Sequence, residues 1–149
     1  MKRFYSLRPV VALLVAAGML TVTTRASAAE RPHKSGGTAQ FVSPTDFVGS
    51  GKATHLGRYD EVGSVNFSST ADPTVLRIDA WSVYTAANGD QLYATFTGQL
   101  DLLTGAITAT GTYVGGTGRF DDAGGSASLS GQMLPDGTIA VTVAGTIDY

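Results

Sequence analysis

Three segments in the second half of the chain alternate apolar and polar residues with a period of two. Leu92, Ala94, Phe96, Gly98, Leu100 and Leu102 interleave with Tyr93, Thr95, Thr97, Gln99 and Asp101. Ile107, Ala109, Gly111 and Tyr113 interleave with Thr108, Thr110 and Thr112, and Ile139, Val141, Val143, Gly145 and Ile147 with Thr142, Thr146 and Asp148. Successive side chains of a strand point to opposite faces, so each segment reads as a strand with one buried and one wet face. No window of twelve residues carries the 3.6-residue apolar period of a helix. This restricts the chain to an all-β fold.

The same reading extends upstream, where Thr, Val, Ile and aromatic runs are punctuated by Gly, Asn and Asp. Strands are expected over Lys52–Tyr59, Glu61–Ser69, Thr74–Ala87, Asp90–Leu103, Ala106–Val114, Ser126–Met133 and Thr138–Asp148. Asn88-Gly89 and Asp136-Gly137 suit tight hairpin turns, and Thr104-Gly105 a third. Seven or eight strands without a covering helix leave two open edges unless the sheet closes. The expected fold is therefore a single closed antiparallel β-barrel of about eight strands, with a two-sheet sandwich as the alternative. Closure at that size leaves an interior wide enough for side chains or one small ligand.

The first residues carry a different signal. Lys2, Arg3 and Arg8 precede the apolar run Val10–Leu20, and small residues follow up to Ala26-Ser27-Ala28-Ala29. That order is a secretory signal peptide, expected over 1–29 with cleavage near Ala28 or Ala29, which places the product in a secreted or periplasmic compartment. The apolar run is short of the roughly 20 residues that span a bilayer, so no membrane anchor is expected after cleavage. Residues 30–50 hold Pro32, Pro44 and Ser35-Gly36-Gly37 and read as a flexible leader with one short strand near Ala39–Val42. The barrel is then expected over 51–149.

Cleavage after Ala29 leaves 149 − 29 = 120 residues with all 12 acidic groups and 10 − 4 = 6 basic ones, a charge of 6 − 12 = −6. Such a chain repels phosphate backbones, which argues against nucleic acid and anionic membranes as partners. The chain has no cysteine, so disulfides, thiol catalysis and thiolate metal sites are excluded.

The run Gly115-Gly116-Thr117-Gly118-Arg119-Phe120-Asp121-Asp122-Ala123-Gly124-Gly125 resembles the strand-turn-strand of dirigent proteins and allene oxide cyclases. Ala53-Thr54-His55-Leu56-Gly57 and Asn88-Gly89-Asp90-Gln91-Leu92 are similar to segments of exported bacterial proteins with an allene oxide cyclase-like barrel. The resemblance runs from Gly51 to Tyr149. It implies a calycin-like eight-stranded barrel whose chemistry, where there is any, occurs in the lumen by shaping a reactive substrate. It carries over no catalytic residue. Gly115, Gly116, Gly118 and Phe120 are expected as a structural turn and not a phosphate loop, since no helix start follows.

The residues suited to line a lumen are His55, Phe67, Arg77, Asp79, Trp81, Phe96 and Tyr113. His55 reads either as an acid or base at a barrel mouth or, preferably, as a hydrogen-bonded structural residue; with only His33 elsewhere it lacks partners for a metal site, and no cofactor is implied. Arg77 and Asp79 read either as an internal ion pair or, preferably, as outer-face residues with Leu76, Ile78, Ala80 and Tyr84 inward. Asp60-Glu61 and Asp121-Asp122 are adjacent, so each pair points to opposite faces and cannot flank a glycosidic bond. No G-x-S-x-G elbow is present. The expected role is binding of a small apolar or aromatic ligand or service as a scaffold. Confinement catalysis by a cyclase or isomerase is the alternative, and a protein-interaction module working through a sheet face or the leader is the third.

Overall fold

A computed structural model describes residues 29–149. They form eight strands, β1 Arg31–Phe41, β2 Asp46–Ala53, β3 Gly57–Ser69, β4 Val75–Ala86, β5 Gln91–Asp101, β6 Ala106–Gly116, β7 Gly124–Met133 and β8 Ile139–Asp148. Each pairs antiparallel with its sequence neighbours, and β1 pairs with β8 from Arg31↔Ile147 to Ala39↔Ile139. The result is a closed up-and-down barrel without a free edge. Among the described residues the only helical element is a 3-10 turn at Gly118–Phe120.

Two expectations are corrected. Residues 30–50 are not a flexible leader but supply β1 and most of β2. Their glycines look like linker composition, yet Gly37, Gly49 and Gly51 face inward beneath larger side chains from β3, where a side chain of their own would not fit. Pro44 falls in the β1–β2 loop, where Ser43 Oγ accepts from the Asp46 amide at 2.8 Å and donates to Asp46 Oδ2 at 2.9 Å. The expected strand Lys52–Tyr59 is also broken, since β2 turns into β3 at Thr54–Leu56 with His55 at φ +74°. The expected signal segment lies outside the described residues apart from Ala29.

The period-two pattern decides what fills the barrel. Leu92, Ala94, Phe96 and Leu100 of β5, Ala109 and Tyr113 of β6, and Ile139, Val143 and Ile147 of β8 are all buried, while the intervening threonines face out. Leu92, Phe120 and Ile147 are fully buried and pack one end of the barrel shut. The β1–β2, β3–β4, β5–β6 and β7–β8 hairpins lie at the other end.

The glycine-rich run forms the lid of the shut end. A register shift between β5 and β6 accommodates Val114-Gly115, and Gly115 and Gly118 take positive φ. Thr117 then binds the start of β5 twice, its amide donating to Gln91 O at 2.8 Å and its Oγ1 accepting from the Gln91 amide at 2.9 Å. A side chain at Gly118 would collide with the Asp90 carboxylate and would also be strained at φ +58°. So pinned, the turn drives the Phe120 ring into the barrel end, edge-on to Tyr149 at 5.0 Å between centroids. The run is a structural turn whose Phe120 plugs the barrel end.

Candidate functional site

The open end leads into an apolar lumen with a cavity of about 100 Å³. Its mouth is aromatic: Phe41 of β1 packs against Phe47 of β2 and Phe67 of β3 at 6.3 and 6.1 Å. Below these lie Ile78 and Ala80 of β4, Phe96 of β5 and Ala109 of β6, then Val143 of β8. Val42, Leu102, Leu103 and Leu134 stand exposed on the surrounding hairpins, giving the entrance an apolar rim.

The inner end of the lumen is polar. Tyr59 and Glu61 of β3 and Ser82 and Tyr84 of β4 line it. Glu61 pairs across the sheet with Gly49 on one side and Tyr84 on the other, and Tyr59 with Gly51. The glycines are the reason these side chains fit. A Cβ at Gly49 would stand 3.1 Å from Glu61 Oε2, and one at Gly51 would stand 2.7 Å from the Tyr59 hydroxyl. The Tyr59 and Tyr84 rings meet edge-on at 5.3 Å and close the floor.

No cation lies against Glu61. Among the described residues the ion pairs are Arg77–Asp79 and Arg119–Asp90, both at the surface. Burial pushes the Glu61 carboxyl above its ordinary range, against the opposing pull of the Ser82 and Tyr84 hydroxyls. Burial, and next the Glu61 charge, also raise the phenols of Tyr59 and Tyr84, so both remain neutral hydrogen-bond donors. The site thus presents one carboxyl group and three hydroxyls at the end of an apolar tube.

Beneath the tyrosine floor His33 is 3 % exposed and stacks on His55 at 6.1 Å and edge-on to Tyr113 at 5.3 Å. Burial, with the nearby His55 adding to it, lowers its pKa from 6.5 to about 4, so it is uncharged at neutral pH. His55 itself sits in the β2–β3 turn, with Nε2 3.0 Å from Pro32 O and Nδ1 3.1 Å from the Tyr149 hydroxyl. Those contacts tie the turn to both chain ends of the barrel.

Of the residues expected to line the lumen, Phe67 and Phe96 do so. Tyr113 points inward but below the floor, and His55 lies at the shut end. Arg77, Asp79 and Trp81 are on the outer face, which corrects their place among the lining candidates and agrees with the preferred outward reading of the pair. Arg77 donates to Asp79 at 2.9 and 3.1 Å, and Thr97 Oγ1 donates to the same carboxylate. Glu61, Tyr59 and Ser82 were not expected, and Tyr84 faces inward as the outer-face reading of Arg77 and Asp79 required. The signal for Glu61 was available, because it shares parity with Val65 and Phe67 while its neighbour Asp60 faces water. No group of three or more His, Cys, Asp or Glu suited to a metal occurs among the described residues.

Fold and site together define a small closed β-barrel with a one-ended apolar lumen and a polar inner terminus. No protein-family model, curated protein or solved structure matches the chain.

Proposed function

We propose that this is an exported barrel that binds a small, slender apolar molecule in its lumen. The observation that carries the reading is the open-ended apolar cavity of about 100 Å³ whose inner end holds hydrogen-bonding groups. Ligand sites combine mostly apolar walls with a few polar groups that set orientation in this way. A dry cavity of roughly 150 Å³ takes up benzene, so this lumen suits an alkyl chain or a single ring and not a polycyclic compound. The signal-peptide pattern of the first residues supports export.

The test is calorimetric titration of the protein with a straight-chain alcohol such as 1-octanol, beside an Ala80→Trp variant. Ala80 lies in the lumen wall, and an indole there occupies the ligand's place. Saturable binding by the parent that disappears in a folded Ala80→Trp protein is expected; binding that survives the filled lumen refutes the reading.

A second reading, a cyclase or isomerase acting by confinement, is favoured by the placing of Glu61 with two neutral phenols at the lumen's end and by the resemblance to allene oxide cyclases. Exclusion of water and a fixed substrate conformation supply much of the rate in such a site. Catalytic turnover of a polyunsaturated epoxide, lost in the Ala80→Trp variant, distinguishes it from simple binding. The interaction-module reading loses its leader version, because the segment concerned is built into the barrel wall.

A further inference from the structure

Charge, not shape alone, selects among the slender apolar molecules that the lumen admits. We infer that the lumen is built for a lipophilic amine, its alkyl or aryl part in the apolar tube and its ammonium group against Glu61. The inference rests on the lumen-binding reading above and adds the chemical class of the ligand.

Two independent features point to it. The first is at the inner end. Glu61 enters the lumen between Gly49 and Tyr84, and the groups that face it are Tyr59 on its own strand, Gly49 on β2, and Ser82 and Tyr84 on β4. None of these carries a positive charge. A carboxylate drawn out of water without a cation is costly unless a ligand provides one. The neutral hydroxyls of Ser82 and Tyr84 donate to Glu61, and their lone pairs, with that of Tyr59, are left to accept from the three protons of an ammonium group. Burial raises the pKa of Glu61, and no cation among the groups facing it offsets that rise. His33, the nearest basic side chain in the interior, lies below the tyrosine floor and is uncharged.

The second feature is at the mouth. The four hairpins of the open end carry Asp46, Asp72, Asp101 and Asp136 and neither Lys nor Arg. Turn hydrogen bonds hold three of these carboxyls below their ordinary range: from the Thr74 hydroxyl and amide to Asp72, from the Thr104 and Leu103 amides to Asp101, and from the Thr138 amide to Asp136. They therefore stay ionised into acid. An entrance ringed by one sign of charge attracts the opposite sign and repels its own. Fatty acids and phosphorylated lipids are disfavoured at the rim and again at the inner end.

Calorimetry with n-octylamine, 1-octanol and octanoate on the full barrel, parent and Glu61→Gln, tests this. The three probes share one apolar chain and differ in head-group charge. The parent is expected to bind the amine about tenfold or more tighter than the alcohol, as a charge-assisted pair requires, and octanoate most weakly. Glu61→Gln should bring the amine down to whatever affinity the same variant shows for the alcohol. An amine no tighter than the alcohol, an amine advantage that outlives Glu61→Gln, or octanoate matching the alcohol overturns the inference and leaves lumen binding standing. Failure of all three probes removes lumen binding itself, and this inference with it. Should Glu61→Gln not fold, the parent's pH dependence gives the same answer. The amine stays protonated throughout, so its advantage should fade as acid neutralises Glu61, at pH values where Asp72, Asp101 and Asp136 remain charged. An advantage unchanged by acid overturns the inference.

Discussion

Replacing Phe120 by alanine probes the plug that shuts the barrel. The ring is 0 % exposed, lies 5.0 Å from the Tyr149 ring, and is covered on its outer side by the Arg119 guanidinium at 4.9 Å. A buried phenylalanine cut to alanine loses about 3–5 kcal/mol, the spread reflecting how far the surroundings collapse into the space. Here the 3-10 turn that carries Phe120 is exposed at Arg119 and Asp121 and can settle inward, which places the expected loss near the lower figure, about 3 kcal/mol. For a domain of this size that is on the order of 10 °C in Tm. Urea unfolding followed by far-ultraviolet circular dichroism should show a lower midpoint at an unchanged slope. The tyrosine floor separates the plug from the lumen, so 1-octanol affinity should be unaltered in the folded variant. A loss under about 1 kcal/mol, typical of a surface change, would refute the assignment of the glycine-rich run as the plug.

His33 should make the fold sensitive to acid. Its folded pKa of about 4 lies below the ordinary 6.5, so its contribution is complete above pH 6.5 and is lost as pH falls toward 4. The difference is on the order of 3 kcal/mol at about 1.4 kcal/mol per unit, and His33→Phe should flatten the stability profile over that window if it folds. Gly51→Ala should cost about 1–3 kcal/mol by overpacking, because its Cβ meets the Gly36 carbonyl and the Tyr59 hydroxyl; a thermal melt equal to the parent's would contradict the packing described. Trp81, half exposed on the outer wall, should keep its emission when the lumen is filled, and strong quenching by a saturating lumen ligand would count against lumen binding.

Alternation of side chains along one strand is a local steric property, so it was legible residue by residue. Ile139 to Ile147 and Leu92 to Leu100 face inward as their period-two pattern requires, and the Asn88-Gly89 hairpin forms where its dipeptide places it. Even the outward placing of Arg77 and Asp79 followed from the apolar parity of Leu76, Ile78 and Ala80. Membership of the sheet is different, because a strand's partners are set by distant residues. Taken alone, Ser35-Gly36-Gly37 and Gly49-Ser50-Gly51 lack apolar bulk and resemble a linker. They become strands because β8 and β3 offer ladders to pair with, and because Tyr59 and Glu61 supply from β3 the bulk that the glycines lack. The site has the same origin. Parity put Glu61 on the inner face, but its setting between Gly49 and Tyr84, without a cation, arises from the register in which β2, β3 and β4 pair side by side, which no single strand's pattern decides.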